Sequence, residues 1–141
     1  MLERLQSRLA SGDYAPVCQL LGMEVTKIEV GSAEVFMNCH SQMFNPFGTV
    51  HGGILCDFAD MAMGTAFFTT LQDGEALATV ELKINFLRPV RSEKITAAAR
   101  VLHRGRNTGY VECEVTNAEG KLVAKAASTC MIVRDDRTAN L

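Results

Sequence analysis

One short stretch carries the residues best able to do chemistry: Asn45-Pro46-Phe47-Gly48-Thr49-Val50-His51-Gly52-Gly53, followed by Asp60. The two glycines stand where a loop turns into a helix. There the first-turn backbone N–H groups lack intrahelical acceptors, and the helix dipole adds partial positive charge. With no side chains in the way, a carbonyl oxygen can approach those N–H groups. A donor aimed at a developing oxyanion is worth roughly 3 kcal/mol. Asp60 stands among Phe58, Ala59, Met61, Ala62 and Met63, on a helix that is apolar on nearly every side. A carboxylate there is costly unless paired or wet, which marks it as a candidate general base or nucleophile. Asp57, one turn earlier, lies closer to the helix start, where the dipole alone accounts for a carboxylate. It is held as the fallback acid.

Helix geometry constrains how these groups can meet. At ~1.5 Å of rise per residue, His51 and Asp60 lie roughly 12–14 Å apart along the axis. One reacting carbonyl cannot touch both. Asp60 of one subunit must then meet His51 and Gly52 of another, and two antiparallel helices across a twofold axis would do so twice. This predicts a homo-oligomer with an inactive monomer, and leaves open whether dimers pair into a tetramer.

The elements that must position these residues follow from the hydropathy pattern. The expected layout is a helical segment over 1–21, one domain over 22–133 and a polar, frayed tail over 134–141. Leu2, Leu5 and Leu9 recur at helical spacing, and Asp13 is placed to cap a second short helix running to about Leu21. Two strands meet at Gly31-Ser32, and Ala33, Val35, Met37 and Cys39 alternate with Glu34, Phe36 and Asn38. The long apolar helix runs from Gly52 to about Leu71. Then come Val80, Leu82, Ile84 and Phe86, facing away from Thr79, Glu81, Lys83 and Asn85. Ile95 to Val101 and Val111 to Val115 form further strands. Leu122 to Val133 is apolar or small on both faces, as a central strand should be. One helix among antiparallel strands is an α+β layout, a sheet wrapped over a helix, and its open edges favour oligomerisation.

Composition narrows the function classes. At 141 residues, 48% hydrophobic and with a net charge of -2, the chain suits one ordered domain. Its near-neutral balance argues against general nucleic-acid binding, which needs a strong positive field. Five cysteines, an odd number without CxxC spacing, fit a reducing cytoplasm better than a disulfide framework or a zinc site. His40 and His103 have no metal partner at useful spacing. No metal or other cofactor is expected, nor a signal peptide or membrane span.

Asn45, Gly48, His51-Gly52-Gly53 and Asp60 together resemble the hotdog-fold thioesterases of the phenylacetate-pathway (PaaI-like) group, within the wider 4-hydroxybenzoyl-CoA thioesterase superfamily. That group's pattern is an Asn, a Gly three residues on, His-Gly-Gly, and an acidic residue nine past the His. Asn45 lies six residues before His51 and Asp60 nine after it. In element order the resemblance spans about Gly22 to Val133. It implies a hotdog fold, an antiparallel sheet around one long central helix, hydrolysing an acyl- or aryl-CoA at a dimer interface.

The resemblance also suggests roles. Asp60 would activate water or attack directly, and the Gly52 N–H would polarise the thioester carbonyl beside Gly53. Thr79 matches a Ser or Thr near the group's catalytic acid and could hold the attacking water. His51 could orient the thioester or Asn45, donate to the sulfur, or simply cap the helix. Asn45 could brace the Gly48 loop or hold the substrate carbonyl. Arg104 and Arg106, and more weakly Arg88, are candidates for the phosphates of coenzyme A, since Arg pairs well with phosphate; a solvated rim is the plain alternative. Met43, Phe44, Phe47, Met61, Phe67 and Phe68 are acyl-pocket candidates or ordinary core. The rivals are a non-catalytic acyl-CoA-binding module and a hydratase or dehydratase of the same fold. The complete set of site residues favours the thioesterase.

Overall fold

The structure, a computed structural model, describes residues 1–134. Two short helices come first, α1 (Leu2–Ala10) and α2 (Pro16–Leu21), then strands β1 (Met23–Glu29) and β2 (Ser32–Asn38). A single 3-10 turn at Ser41–Met43 leads to the long helix α3 (Gly52–Phe68). Four strands follow: β3 (Glu75–Phe86), β4 (Lys94–Arg104), β5 (Thr108–Asn117) and β6 (Leu122–Arg134). The six strands form one antiparallel sheet in the order β1-β2-β4-β5-β6-β3. The last strand in sequence is indeed internal, as its two-sided apolar pattern requires.

The sheet wraps α3. Leu55, Phe58, Ala59, Ala62, Met63, Ala66 and Phe67 of the helix are buried against alternate residues of the strands, among them Val35, Ala97, Val111, Cys113 and Ala126. Gly109 of β5 permits the closest approach. A Cβ there would lie 2.1 Å from the Phe67 ring, so only a residue without a side chain admits the aromatic at that point. The helix ends at Phe68, three residues before the expected boundary. Thr69 and Thr70 turn their hydroxyls back on the carbonyls of Ala66 and Phe67, each at 2.7 Å. Thr69 Oγ1 also accepts the Gly31 N–H at 2.7 Å, tying the β1–β2 hairpin to the end of α3.

Three expectations need correction. Asp13 does not cap α2: Ala15 is the cap residue, Pro16 opens the helix, and Asp13 pairs instead with Arg8 at 2.7 Å. Arg134 is not part of a frayed tail. It ends β6, and its guanidinium reaches Glu75 at 2.7 Å and the Arg106 carbonyl at 2.6 Å; the rest of the expected tail, 135–141, lies outside the described residues. The third concerns β3. Thr79 pairs with Cys130 and Glu81 with Thr129, so Val80 is an extra residue, a β-bulge. A bulge resets the inside–outside alternation. Thr79 therefore shares the inner face with Leu77, Leu82 and Ile84, while Val80, expected inside, is 61% exposed.

Candidate active site

The site residues divide between the N-terminus of α3 and its middle. At its N-terminus His51 is the cap residue, and its Nδ1 accepts the Gly53 N–H at 2.9 Å. A neutral imidazole accepting at Nδ1 carries its proton on Nε2. The His51 carbonyl accepts the N–H groups of Ile54 and Leu55 at 3.0 and 3.4 Å. Three of the four first-turn donors are thus engaged. The Gly52 N–H has no acceptor among the described residues, which makes it the donor free to meet a ligand.

Around Gly52 lies a cavity of about 330 Å³ whose walls include Asn45, Leu55, Phe86 and Arg88. The Phe86 ring covers Gly52 so closely that a Cβ there would come within 2.9 Å of it. Asn45 shapes the entrance by bracing its own loop. Its Oδ1 accepts the N–H of Phe47 at 2.9 Å and its Nδ2 donates to Thr49 Oγ1 at 3.0 Å, an Asx-type turn. Arg91 holds the same loop through the Gly48 carbonyl at 3.0 Å. Arg88, in the cavity wall, donates to the Leu122 carbonyl at 2.6 Å.

Asp60 occupies a second cavity, also about 330 Å³, that shares no lining residue with the first. Thr79 stands in it beside Asp60, and its Oγ1 donates to Asp60 Oδ1 at 2.9 Å. This contact depends on the bulge at Val80, which turns Thr79 inward. Asp57 lines neither cavity. Its Oδ2 is buried without a hydrogen-bond partner. Burial, and then the charge of Asp60, push the Asp57 carboxyl above its usual range.

The arginines of the β4–β5 turn lie elsewhere. Glu75, buried at the start of β3, binds Arg104 and Arg134 together and accepts the Gln72 N–H at 3.0 Å. Burial pushes the Glu75 carboxyl up, but the Gln72 N–H and the two guanidiniums outweigh it and hold the group below its usual value. Arg104 is therefore already ion-paired. Two guanidiniums share one carboxylate, and Arg106 adds a third, so the turn keeps a positive excess.

The cysteines take no part. Cys18, Cys39, Cys113 and Cys130 are buried, and all five are free thiols. Burial pushes Cys39 up to about 11 and Cys113 up to about 12, so neither forms a thiolate readily. His40 and His103 join no cluster, and no group of metal-ligating side chains occurs among the described residues. No helix among them is long and apolar enough to cross a membrane. Of the acyl-pocket candidates, Met61 and Phe68 line the Asp60 cavity. Met43 and Phe67 are plain core, and Phe47 is 87% exposed. What the sequence did not reveal is that Leu5, Leu9 and Tyr14 of the N-terminal segment form the far wall of that cavity. The apolar spacing of α1 is a signal for a buried face, not for which face it covers.

Comparison with known proteins places these features in context. A family model described as "Thioesterase superfamily" matches residues 47–124. Acyl-coenzyme A thioesterase PaaI of Escherichia coli is 34% identical over 105 residues, covering 74% of this chain and 73% of that protein. Proofreading thioesterase EntH of Klebsiella pneumoniae is 31% identical over 101 residues, covering 72% and 74%. The solved structure of E. coli PaaI, a protein of the phenylacetic acid degradation operon, superimposes with a TM-score of 0.84 at 30% identity, covering 92% of each chain.

Proposed function

The chain belongs to the thioesterase superfamily, in its PaaI-like hotdog group, and is an acyl-CoA thioesterase; we propose that its active site forms between two subunits, Asp60 of one facing Gly52 of the other. The thioester carbonyl oxygen lies against the Gly52 N–H, with Gly53 leaving the approach open. As the carbonyl carbon becomes tetrahedral, negative charge grows on that oxygen at the positive end of α3. Asp60 either takes a proton from the attacking water or attacks the carbonyl itself. Thr79 fixes the Asp60 carboxylate and stands where it can share the water. The Nε2–H of His51 faces the departing sulfur or the carbonyl, and Asn45 keeps the entrance loop in shape.

One observation carries this reading: the free N–H of Gly52 and the Thr79–Asp60 pair lie in separate cavities on one helix. Each chain thus holds two complementary half-sites, and a twofold axis completes both. The long strand β3 ends the sheet order, so one of its edges is available to a second copy. For the phosphates of coenzyme A, Arg88 is favoured by its place in the Gly52 cavity. The Arg104–Arg106 turn, with its positive excess, is the second seat.

Thiol release from a panel of acyl-CoAs by the wild type and by Asp60→Ala tests the assignment. Hydrolysis lost in the variant is expected; full activity in Asp60→Ala would sink the role of Asp60. Single-turnover hydrolysis in oxygen-18 water separates the two routes. Label in the enzyme's carboxylate marks an anhydride intermediate, whereas label only in the released acid marks general-base attack by water.

A further inference from the structure

The Asp60 cavity extends away from the reacting carboxylate along the outer side of α3. Asp60, Gly64 and Phe68 follow one another at helical i, i+4, i+8 spacing and all line it. Gly64 then lies about 6 Å and Phe68 about 12 Å beyond Asp60 along the axis. Leu77 of β3 closes one side, and Leu9 and Tyr14 of the N-terminal segment close the other.

Two properties of this space bear on what it can hold. Its volume of about 330 Å³ is roughly twice the ~150 Å³ of an apolar cavity that admits benzene. Its walls offer no charge to a ligand beyond the reacting end. Arg8 and Asp13, the other Arg, Lys, Asp or Glu side chains of the lining, are paired with each other at 2.7 Å. The Thr65 hydroxyl is turned toward the Met61 sulfur at 3.8 Å.

Gly64 is the unusual residue here. A Cβ built on it meets nothing within 4 Å. Its backbone is ordinary helix, and a glycine in a helix interior is less favourable than alanine by about 0.5–1 kcal/mol. Neither local geometry nor crowding calls for glycine at this position. What its missing side chain preserves is room, one turn past the catalytic carboxylate.

We propose that Gly64 and Tyr14 set the upper size of the acyl group that this cavity admits, and that the paired state of Arg8 and Asp13 makes it refuse an acyl group ending in a carboxylate. The inference rests on the reading of Asp60 as the catalytic carboxylate and deepens it by naming the residues that set which acyl groups reach it. An acetyl group leaves the space mostly unfilled. An acyl group ending in a carboxylate finds no unpaired cation there and brings its charge toward that of Asp60.

The test is kcat/KM for straight-chain acyl-CoAs from acetyl to palmitoyl, with phenylacetyl-CoA and succinyl-CoA, on the wild type, Gly64→Leu and Tyr14→Ala. For the wild type, kcat/KM should rise about fourfold per buried methylene until the cavity is full. Succinyl-CoA should fall at least tenfold below butyryl-CoA. Gly64→Leu should lower the optimum, losing at least tenfold on octanoyl- and phenylacetyl-CoA while staying within about threefold on acetyl-CoA. Tyr14→Ala should move the optimum to longer chains. If Gly64→Leu does not fold, Gly64→Ala reads the same shift at smaller size. Equal effects of these variants on all chain lengths, or succinyl-CoA matching butyryl-CoA, would overturn the inference while leaving the thioesterase reading intact. If the wild type hydrolyses no member of the panel, or Asp60→Ala is fully active, the reading it rests on fails and the inference falls with it.

Discussion

Thr79 Oγ1 donates to Asp60 Oδ1 at 2.9 Å, joining the edge strand β3 to the middle of α3. A hydrogen bond to a charged group is worth about 1.5–3 kcal/mol. Lost from the transition state, that much lowers kcat by about 10- to 100-fold in Thr79→Val. Asp60→Asn should lower it further, by about 10²–10⁴, the usual range for a positioned acid–base group. Thr79→Ser keeps the hydroxyl and should restore most of the activity. Steady-state kinetics on the three variants check the ranking. A Thr79→Val enzyme as fast as wild type would remove Thr79 from the site.

The proposed sharing of the site between subunits is open to a complementation experiment. Asp60→Asn and Gly52→Ala each damage a different half-site. In a mixed dimer one site receives both lesions and the other receives neither. Tagged, co-expressed heterodimers should recover about half of wild-type activity per dimer, while each parent homodimer stays near zero. Heterodimers no better than their parents would show that one chain supplies the whole site.

Asp57 is held in its charged form at a disadvantage, because Oδ2 is buried and unpartnered. Burial and Asp60 raise its folded value above the unfolded one. The native state then binds more protons, so stability falls as pH rises from ~3.9, the unfolded value, through the raised one. Asp57→Asn should remove that fall and raise the denaturation midpoint at pH 8, with little gain at pH 4. Urea titrations at the two pH values measure it.

Glu75 behaves in the opposite sense. Its folded value is lowered on balance by Gln72, Arg134 and Arg104. The stability it contributes is complete above ~4.3, the ordinary glutamate value, and is lost as pH falls through the lowered one. Glu75→Gln should cost about 1.5–3 kcal/mol at pH 7, the range for hydrogen bonds to charged groups. Melting curves from pH 3 to 7 should show the gap between wild type and variant closing in acid.

The candidate-site motif was legible because its meaning is local. Asn45 to Gly53 and Asp60 form a short, fixed pattern, and the apolar run around Asp60 announces a buried helix. Distant partners were not legible. Glu75 meets Arg104 across 29 residues and Arg134 across 59, and nothing near any of them in sequence indicates the pairing. The bulge was hidden because the polar–apolar alternation of β3 runs unbroken through Val80. Only the pairing with β6 shows that the register slips there. Leu5 and Leu9 announced an apolar helix face, but what that face encloses is decided by α3 and β3.

Val80 also sets how β3 divides its faces. Before it the inward side chains carry odd numbers, Leu77 and Thr79; after it they carry even ones, Leu82 and Ile84. A β3 of the same length without the bulge would hold a single phase along its whole run. Either Thr79 would turn out toward solvent, or Leu82 and Ile84 would leave the core. Losing Val80 itself has the opposite effect, because Leu77, Thr79, Leu82 and Ile84 would then alternate in one unbroken phase. A lineage can therefore shed this residue and keep both the Asp60 partner and the hydrophobic interior, whereas one that keeps it must also keep the slip in pairing with β6.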